Sequence, residues 1–177
     1  MEDRKYNLKE IISKEDIEKR VKEIAEQITK DYEGKELLIV GMLKGAATFL
    51  SDLIFNIKSD KLTIDFISVA KYDSKDDTGE VKVIKDLDQP LEGKNLIIVE
   101  DILDTGKVML YFKERLAVRH PESIKICTFI DIPSRRDKDI VVDYKGYTID
   151  DKFIVGYGID YNEKHRNLQN ISELIFE

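Results

Sequence analysis

The sequence predicts an α/β domain built on a mostly parallel sheet. Short apolar runs rich in β-branched residues, at 37–42, 96–99 and 124–132, read as strands buried on both faces. Stretches with helical apolar spacing separate them, and strands alternating with helices argue for βαβ units. The chain has 177 residues, 42% apolar and 37% charged with three prolines, which suits one globular domain with a substantial core.

Ser13 opens the first helix. Ser13-x-x-Asp16 resembles a capping box, and Ile17, Val21, Ile24 and Ile28 recur at helical spacing. Gly34 marks the exit. Residues 37–42 form the first apolar strand and run into Leu43-Lys44-Gly45. Residues 46–55 read as a helix with Phe49, Leu50, Leu53 and Ile54 inward, and 62–69 as the second strand. Residues 70–80 are polar and rich in breakers, a surface loop long enough to act as a mobile lid. Residues 81–87 alternate as a short exposed strand, and 89–93 make a turn. Beyond the central unit, 124–132 and 153–157 are two further strands.

The chain is organised around residues 96–110. An apolar strand leads into two adjacent carboxylates, Glu100 and Asp101, then into Asp104-Thr105-Gly106. From Lys107 the spacing turns helical, with Val108, Leu110, Phe112 and Leu116 able to share a buried side. In open α/β sheets, ligands sit beyond the carboxyl ends of the strands. A helix start there offers unpaired N–H groups to a phosphate, so the turn reads as a phosphate cup. Two rival readings of an acidic strand end fail. No Gly-x-x-x-x-Gly-Lys-Ser/Thr occurs for a P-loop, and a receiver's acidic strand opens its domain rather than following a hundred residues.

Net charge is −7, with a pI near 5.1, which excludes a broad nucleic-acid footprint. Local basic spots remain at Lys44, Arg135, Arg136 and Arg166. The single cysteine, Cys127, excludes an intrachain disulfide, lies in an apolar run as buried filler, and fits a reducing compartment. No apolar run approaches the ~20 residues that span a bilayer, and the first residues lack a signal-peptide core. A cytoplasmic protein with no membrane or nucleic-acid partner is expected. His120 and His165 read as surface residues, and no Ser-His-Asp arrangement is visible.

Several motifs in order resemble the type I phosphoribosyltransferase family: Leu43-Lys44-Gly45, residues 81–87, the stretch 96–110, Pro133-Ser134-Arg135-Arg136, and residues 151–161. The resemblance runs from Leu37 to Arg166 and is to the hypoxanthine-guanine enzymes of that family. It implies a parallel sheet of about five strands flanked by helices. One domain, 1–177, would carry a small hood made from the N-terminal segment and roughly 133–177. It also implies transfer of a phosphoribosyl group from phosphoribosyl pyrophosphate (PRPP) to a purine base, with Mg²⁺, in a homodimer or homotetramer.

By resemblance, Asp104 is the general base or hydrogen-bond partner at purine N7, and its rival reading is an Asx turn cap. The resemblance also implies that Asp104, Thr105, Gly106, Lys107, Val108 and Met109 cradle the 5′-phosphate and that Glu100 and Asp101 hold the ribose diol. Lys44, Gly45, Lys71, Tyr72 and Arg166 face pyrophosphate. Ile132, Phe153, Ile154 and Asp160 surround the purine, with Asp160, Glu100 and Asp101 on the metal side.

Three positions depart from the family pattern. Val108 stands where a threonine hydroxyl touches phosphate, Ile132 where a lysine donates to the purine 6-oxo group, and Lys71 where a serine precedes the loop tyrosine. The departures keep open a non-catalytic PRPP- or nucleotide-binding regulator on the same fold. An RNA-binding attenuator would want a basic face, which the acidic balance disfavours.

Overall fold

The computed structural model describes residues 5–71 and 81–177. Helix α1 (Lys14–Asp31) starts as its sequence dictates: the Ser13 side chain accepts from the Asp16 amide at 3.1 Å. It buries Ile17, Val21, Ile24, Ala25 and Ile28 along one stripe, the isoleucines and the valine each worth roughly 1.5–3 kcal/mol when fully buried. Helix α2 (Ala47–Asn56) buries Phe49, Leu50 and Leu53, while Ile54 is only partly covered.

Strands β2 (Leu37–Leu43), β3 (Leu62–Lys71), β4 (Val81–Lys85), β5 (Asn95–Leu103), β6 (Ser123–Asp131) and β7 (Tyr144–Thr148) form a six-stranded sheet in the order β4-β3-β2-β5-β6-β7. Only β4 is antiparallel to its neighbour, so the parallel part has the expected five strands. Alternate residues divide the sheet between two cores. Leu37, Ile39, Ile97, Val99, Cys127 and Phe129 face α1 and α2; Leu38, Val40, Leu96, Ile98 and Ile126 face helix α3 (Lys107–Ala117). Cys127 is fully enclosed, and burial pushes its thiol up, as inert filler requires.

On α3 the buried stripe is Met109, Phe112 and Leu116. Val108 and Leu110 are only partly covered, so the apolar face is rotated from the expected one. A second sheet of three strands, β1-β9-β8, joins the two ends of the chain: β1 (Tyr6–Ile12) pairs antiparallel with β9 (Ile171–Phe176), and β9 with β8 (Ile154–Val155). Residues 153–157, expected as a strand, therefore contribute a two-residue strand to this small sheet.

Both sheet edges are tied down. At one edge, Arg20 of α1 donates to the carbonyls of Lys145 and Gly146 on β7, at 2.7 and 3.0 Å. At the other, Asp86 after β4 pairs with Arg115 and Arg119 around the end of α3. Burial alone pushes the Asp86 carboxyl up, but Arg119, Arg115 and the Leu87 amide outweigh it and hold it at about 2. A depressed folded value stabilises the protein above the ordinary carboxylate range, and that gain is lost as pH falls toward 2. Asp86→Asn is expected to lower stability by about 1 kcal/mol at pH 7, after discounting for solvent at this partly exposed pair. In urea melts the deficit should shrink between pH 4 and about 2, in step with the Asp86 titration.

Candidate active site

Parallel register brings the carboxyl ends of β2 and β5 side by side, with Gly41 opposite Val99. Strand β5 continues past the acid pair to Leu103, so Glu100 and Asp101 sit in the strand rather than at its exit. The Asp101 amide donates to Glu100 Oε1 at 3.0 Å, and the Ile102 amide to Asp101 Oδ1 at 2.9 Å. Burial holds the Glu100 carboxyl well above its ordinary value, and the negative charges of Asp101 and Asp104 add to the push. Three carboxyl groups thus share one end of the sheet.

The turn after β2 lies directly on this pair. A Cβ on Gly45 would stand 1.8 Å from Asp101 Oδ2, and one on Gly158 2.1 Å from the Gly45 carbonyl oxygen. Only glycine permits both approaches. The Leu43–Lys44 peptide in this turn is cis. Gly156, Tyr157 and Gly158 all have positive φ, which curls the 156–158 segment down onto Gly45, and the Tyr157 hydroxyl donates to Asp52 of α2 at 2.7 Å.

After β5, Gly106 takes the left-handed conformation (φ 78°), and α3 begins with no side-chain cap. The first bond of its ladder runs from the Leu110 amide to the Gly106 carbonyl, at 2.9 Å. The Lys107 amide reaches Thr105 Oγ1 at 3.4 Å. Among the described residues, the amides of Gly106, Val108 and Met109 meet no protein acceptor, as a helix start ready for an anion requires. Among the described residues the Asp104 carboxylate caps no amide and accepts only a long, 3.5 Å bond from the Thr105 hydroxyl, against the Asx-cap reading.

Asp160, Glu163, Arg166 and Lys44 form one ionic cluster. Arg166 pairs with Asp160 at 2.7 Å and Glu163 at 3.4 Å, Lys44 with Glu163 at 3.0 Å, and Arg166 also donates to the Gly158 carbonyl at 2.8 Å. Glu163 had no motif to flag it; its only signal is its place between Asp160 and Arg166. Behind this loop a 330 Å³ cleft, lined by Thr48, Asp52 and Tyr157 among others, shares only Arg166 with the cluster.

On the hood side, Phe153 is 59% exposed and makes an edge contact with Phe176. Ile154 is buried in β8, with its backbone paired to Glu173. Ile132 is wholly buried in the core beside α1 and α2, so its side chain has no surface to offer a base. His165 differs from the surface reading: it is half-buried with positive φ, 2.7 Å from the Tyr6 hydroxyl. Lys71 closes β3; its side chain, and Tyr72 with the rest of the expected lid, lie outside the described residues.

Val108 is partly buried beside the α3 core, with its amide at the cup. A hydrogen bond to a charged group is worth roughly 1.5–3 kcal/mol, or one to two decades of affinity. If the turn is a phosphate cup, Val108→Thr is expected to tighten binding of a phosphorylated sugar by about tenfold or more, read by calorimetry. No gain would mean that the side chain at 108 does not reach the phosphate.

A parallel sheet whose central strand carries paired acids into an amide-lined turn, with the chain ends joined in a small sheet beside it, is the architecture of phosphoribosyl-transferring enzymes. The sequence profile of the phosphoribosyl transferase domain matches residues 7–162. The chain belongs to this family, among the hypoxanthine-guanine phosphoribosyltransferases. It is 47% identical to the enzyme of that name from Staphylococcus aureus, across 95% of this chain and 94% of the relative. To the Bacillus subtilis enzyme it is 45% identical, across 94% and 92%. A crystal structure of a hypoxanthine-guanine phosphoribosyltransferase from Bacillus anthracis superposes with a TM-score of 0.90 at 44% identity, covering 97% of this chain and 99% of that one. These similarities do not favour the regulatory reading.

Proposed function

We propose that this chain transfers the 5-phosphoribosyl group of PRPP to hypoxanthine or guanine, giving IMP or GMP and pyrophosphate in purine salvage. One observation carries the reading: the amides of Gly106, Val108 and Met109, open among the described residues, follow a strand bearing Glu100 and Asp101, with the Asp104 carboxylate between them in only a long contact with Thr105. In this reading the amides of Thr105 to Met109 hold the 5′-phosphate, and Glu100 and Asp101 accept from the ribose hydroxyls. The bond from the anomeric carbon to pyrophosphate breaks as a bond to the purine nitrogen forms. The transition state is cation-like, so the anionic cluster favours it electrostatically. Asp104 accepts or orients the proton at purine N7. Lys44 and Arg166, with Gly45, receive the pyrophosphate, and the exposed ring of Phe153 stacks on the base while the Ile154 backbone meets its edge.

No group of three or more acidic, histidine or cysteine side chains among the described residues could by itself enclose a metal. Mg²⁺ binds through one or two carboxylates plus substrate oxygens and water. The raised Glu100 carboxyl beside Asp101 and Asp104 marks a site short of positive charge, which fits such an ion. One or two of Glu100, Asp101 and Asp160 would hold such an ion, which would supply positive charge to the pyrophosphate oxygens.

We read the chain as one domain, with the β1-β9-β8 sheet and its flanking segments as the hood, in a homodimer or homotetramer. Its one cysteine, buried, fits the cytoplasm.

The test is purified protein with Mg²⁺ and PRPP against hypoxanthine, guanine, xanthine and adenine. Turnover with hypoxanthine or guanine is expected, with weaker rejection of adenine than a lysine at 132 would give, because isoleucine donates no hydrogen bond. Discrimination equal to that of a variant with lysine at 132 would refute the effect expected from the missing donor. Tight nucleotide binding without any turnover would establish the regulator instead.

A further inference from the structure

Glycine supplies the left-handed bend of the cup at Gly106, but its freedom leaves the turn unconstrained unless something outside holds it. The segment 136–140 does so. A Cβ on Gly106 would stand 2.9 Å from Ile140 Cδ1 and 3.3 Å from Arg136 Cδ, so these two side chains roof the glycine. The amides of Asp137 and Lys138 both donate to the Thr105 carbonyl, at 3.1 and 3.2 Å, and Lys107 pairs with Asp137 at 3.0 Å.

The segment is itself anchored by Arg136. Its Nη2 ion-pairs with Asp131, which is 4% exposed at the end of β6, and donates at 3.3 Å to the carbonyl of Leu103, the last residue of β5. One guanidinium therefore ties together the ends of the two strands that bracket the cup. The Ile132 amide closes the same junction, donating to the Leu103 carbonyl at 3.0 Å.

We infer that Arg136, anchored on buried Asp131, is a positioning residue for the phosphate cup: with Ile140 it fixes Gly106 and so aims the amides of the α3 start. Preorganisation of this kind raises affinity by removing the ordering cost from the binding step. The inference rests on the reading of residues 104–109 as the 5′-phosphate site.

The test measures binding of ribose 5-phosphate by calorimetry, thermal stability, and the KM values for PRPP and for the base, in the wild type, Arg136→Met, Arg136→Lys and Ile140→Ala. Arg136→Met is expected to weaken ribose 5-phosphate and raise the PRPP KM by about tenfold, with the KM for the base unchanged. Ile140→Ala should lose about threefold, and Arg136→Lys, which keeps a cation on Asp131, should recover most of the loss. Should Arg136→Met fail to fold, the other two variants carry the comparison. A folded Ile140→Ala or Arg136→Met with wild-type ribose 5-phosphate affinity, and only a lower melting temperature, would overturn the inference. A wild-type protein that binds no ribose 5-phosphate would overturn the cup itself, and the inference with it.

Discussion

Asp104→Asn is expected to lower kcat by about 10²–10⁴-fold, the usual worth of a positioned acid or base, while PRPP binding stays within a few-fold. The carboxylate stands at the mouth of the cup, half-buried, and among the described residues it has only a weak contact from Thr105. Asparagine preserves its size and can still hydrogen-bond, so the turn should survive and the melting temperature should hardly move. What it cannot do is take a proton. Stopped-flow or steady-state turnover with hypoxanthine reads the effect; a variant within fivefold of wild type would remove Asp104 from the chemistry.

Gly45→Ala is the second large effect. Its methyl group would be placed 1.8 Å from Asp101 Oδ2, far inside contact distance, so either the carboxylate or the whole β2 turn must move. The Asp101 side chain is the softer partner, and its rotation would take one acceptor from the proposed ribose site while leaving the core intact. PRPP affinity is expected to fall at least tenfold, as for loss of a charged hydrogen bond of about 1.5–3 kcal/mol. Calorimetric titration of PRPP checks it. Unchanged affinity would separate the β2 turn from the ribose side of the site.

The parts of the fold legible in the sequence are those with dense local signals. Strands β2, β5 and β6 are parallel and covered on both faces, so they read as continuous apolar runs, and Ser13 announces α1 with its own side chain. Strand β1 was not legible: residues 7–10 are all exposed, with Leu8 apolar among polar neighbours, and its pairing with β9 joins opposite ends of the chain. Strand β7, with the sequence Tyr-Lys-Gly-Tyr-Thr, is likewise defined by its parallel neighbour β6 rather than by a pattern of its own.

The site divides in the same way. Glu100, Asp101, Asp104 and the turn to Met109 were readable as one contiguous unit, and the structure brings Gly45 to it from a separate strand end. Glu163 and the Arg136 brace were not, because Glu163 meets Lys44 from a distant turn and Arg136 reaches the Leu103 carbonyl of another strand, contacts that no local spacing encodes. Gly158 lies inside the 151–161 motif, but its need to lie on the Gly45 carbonyl appears only in three dimensions. Ile132 illustrates the reverse: its position in the motif suggested the base pocket, whereas its apolar side chain settles into the core.

The most direct measurement is amide NMR of the protein titrated with ribose 5-phosphate, with ribose as the phosphate-free control. If the turn after β5 grips a phosphoester through its main chain, the amides of residues 105–109 should move downfield with ribose 5-phosphate and stay still with ribose. Shifts confined elsewhere, with these five signals unmoved at saturation, would contradict the account.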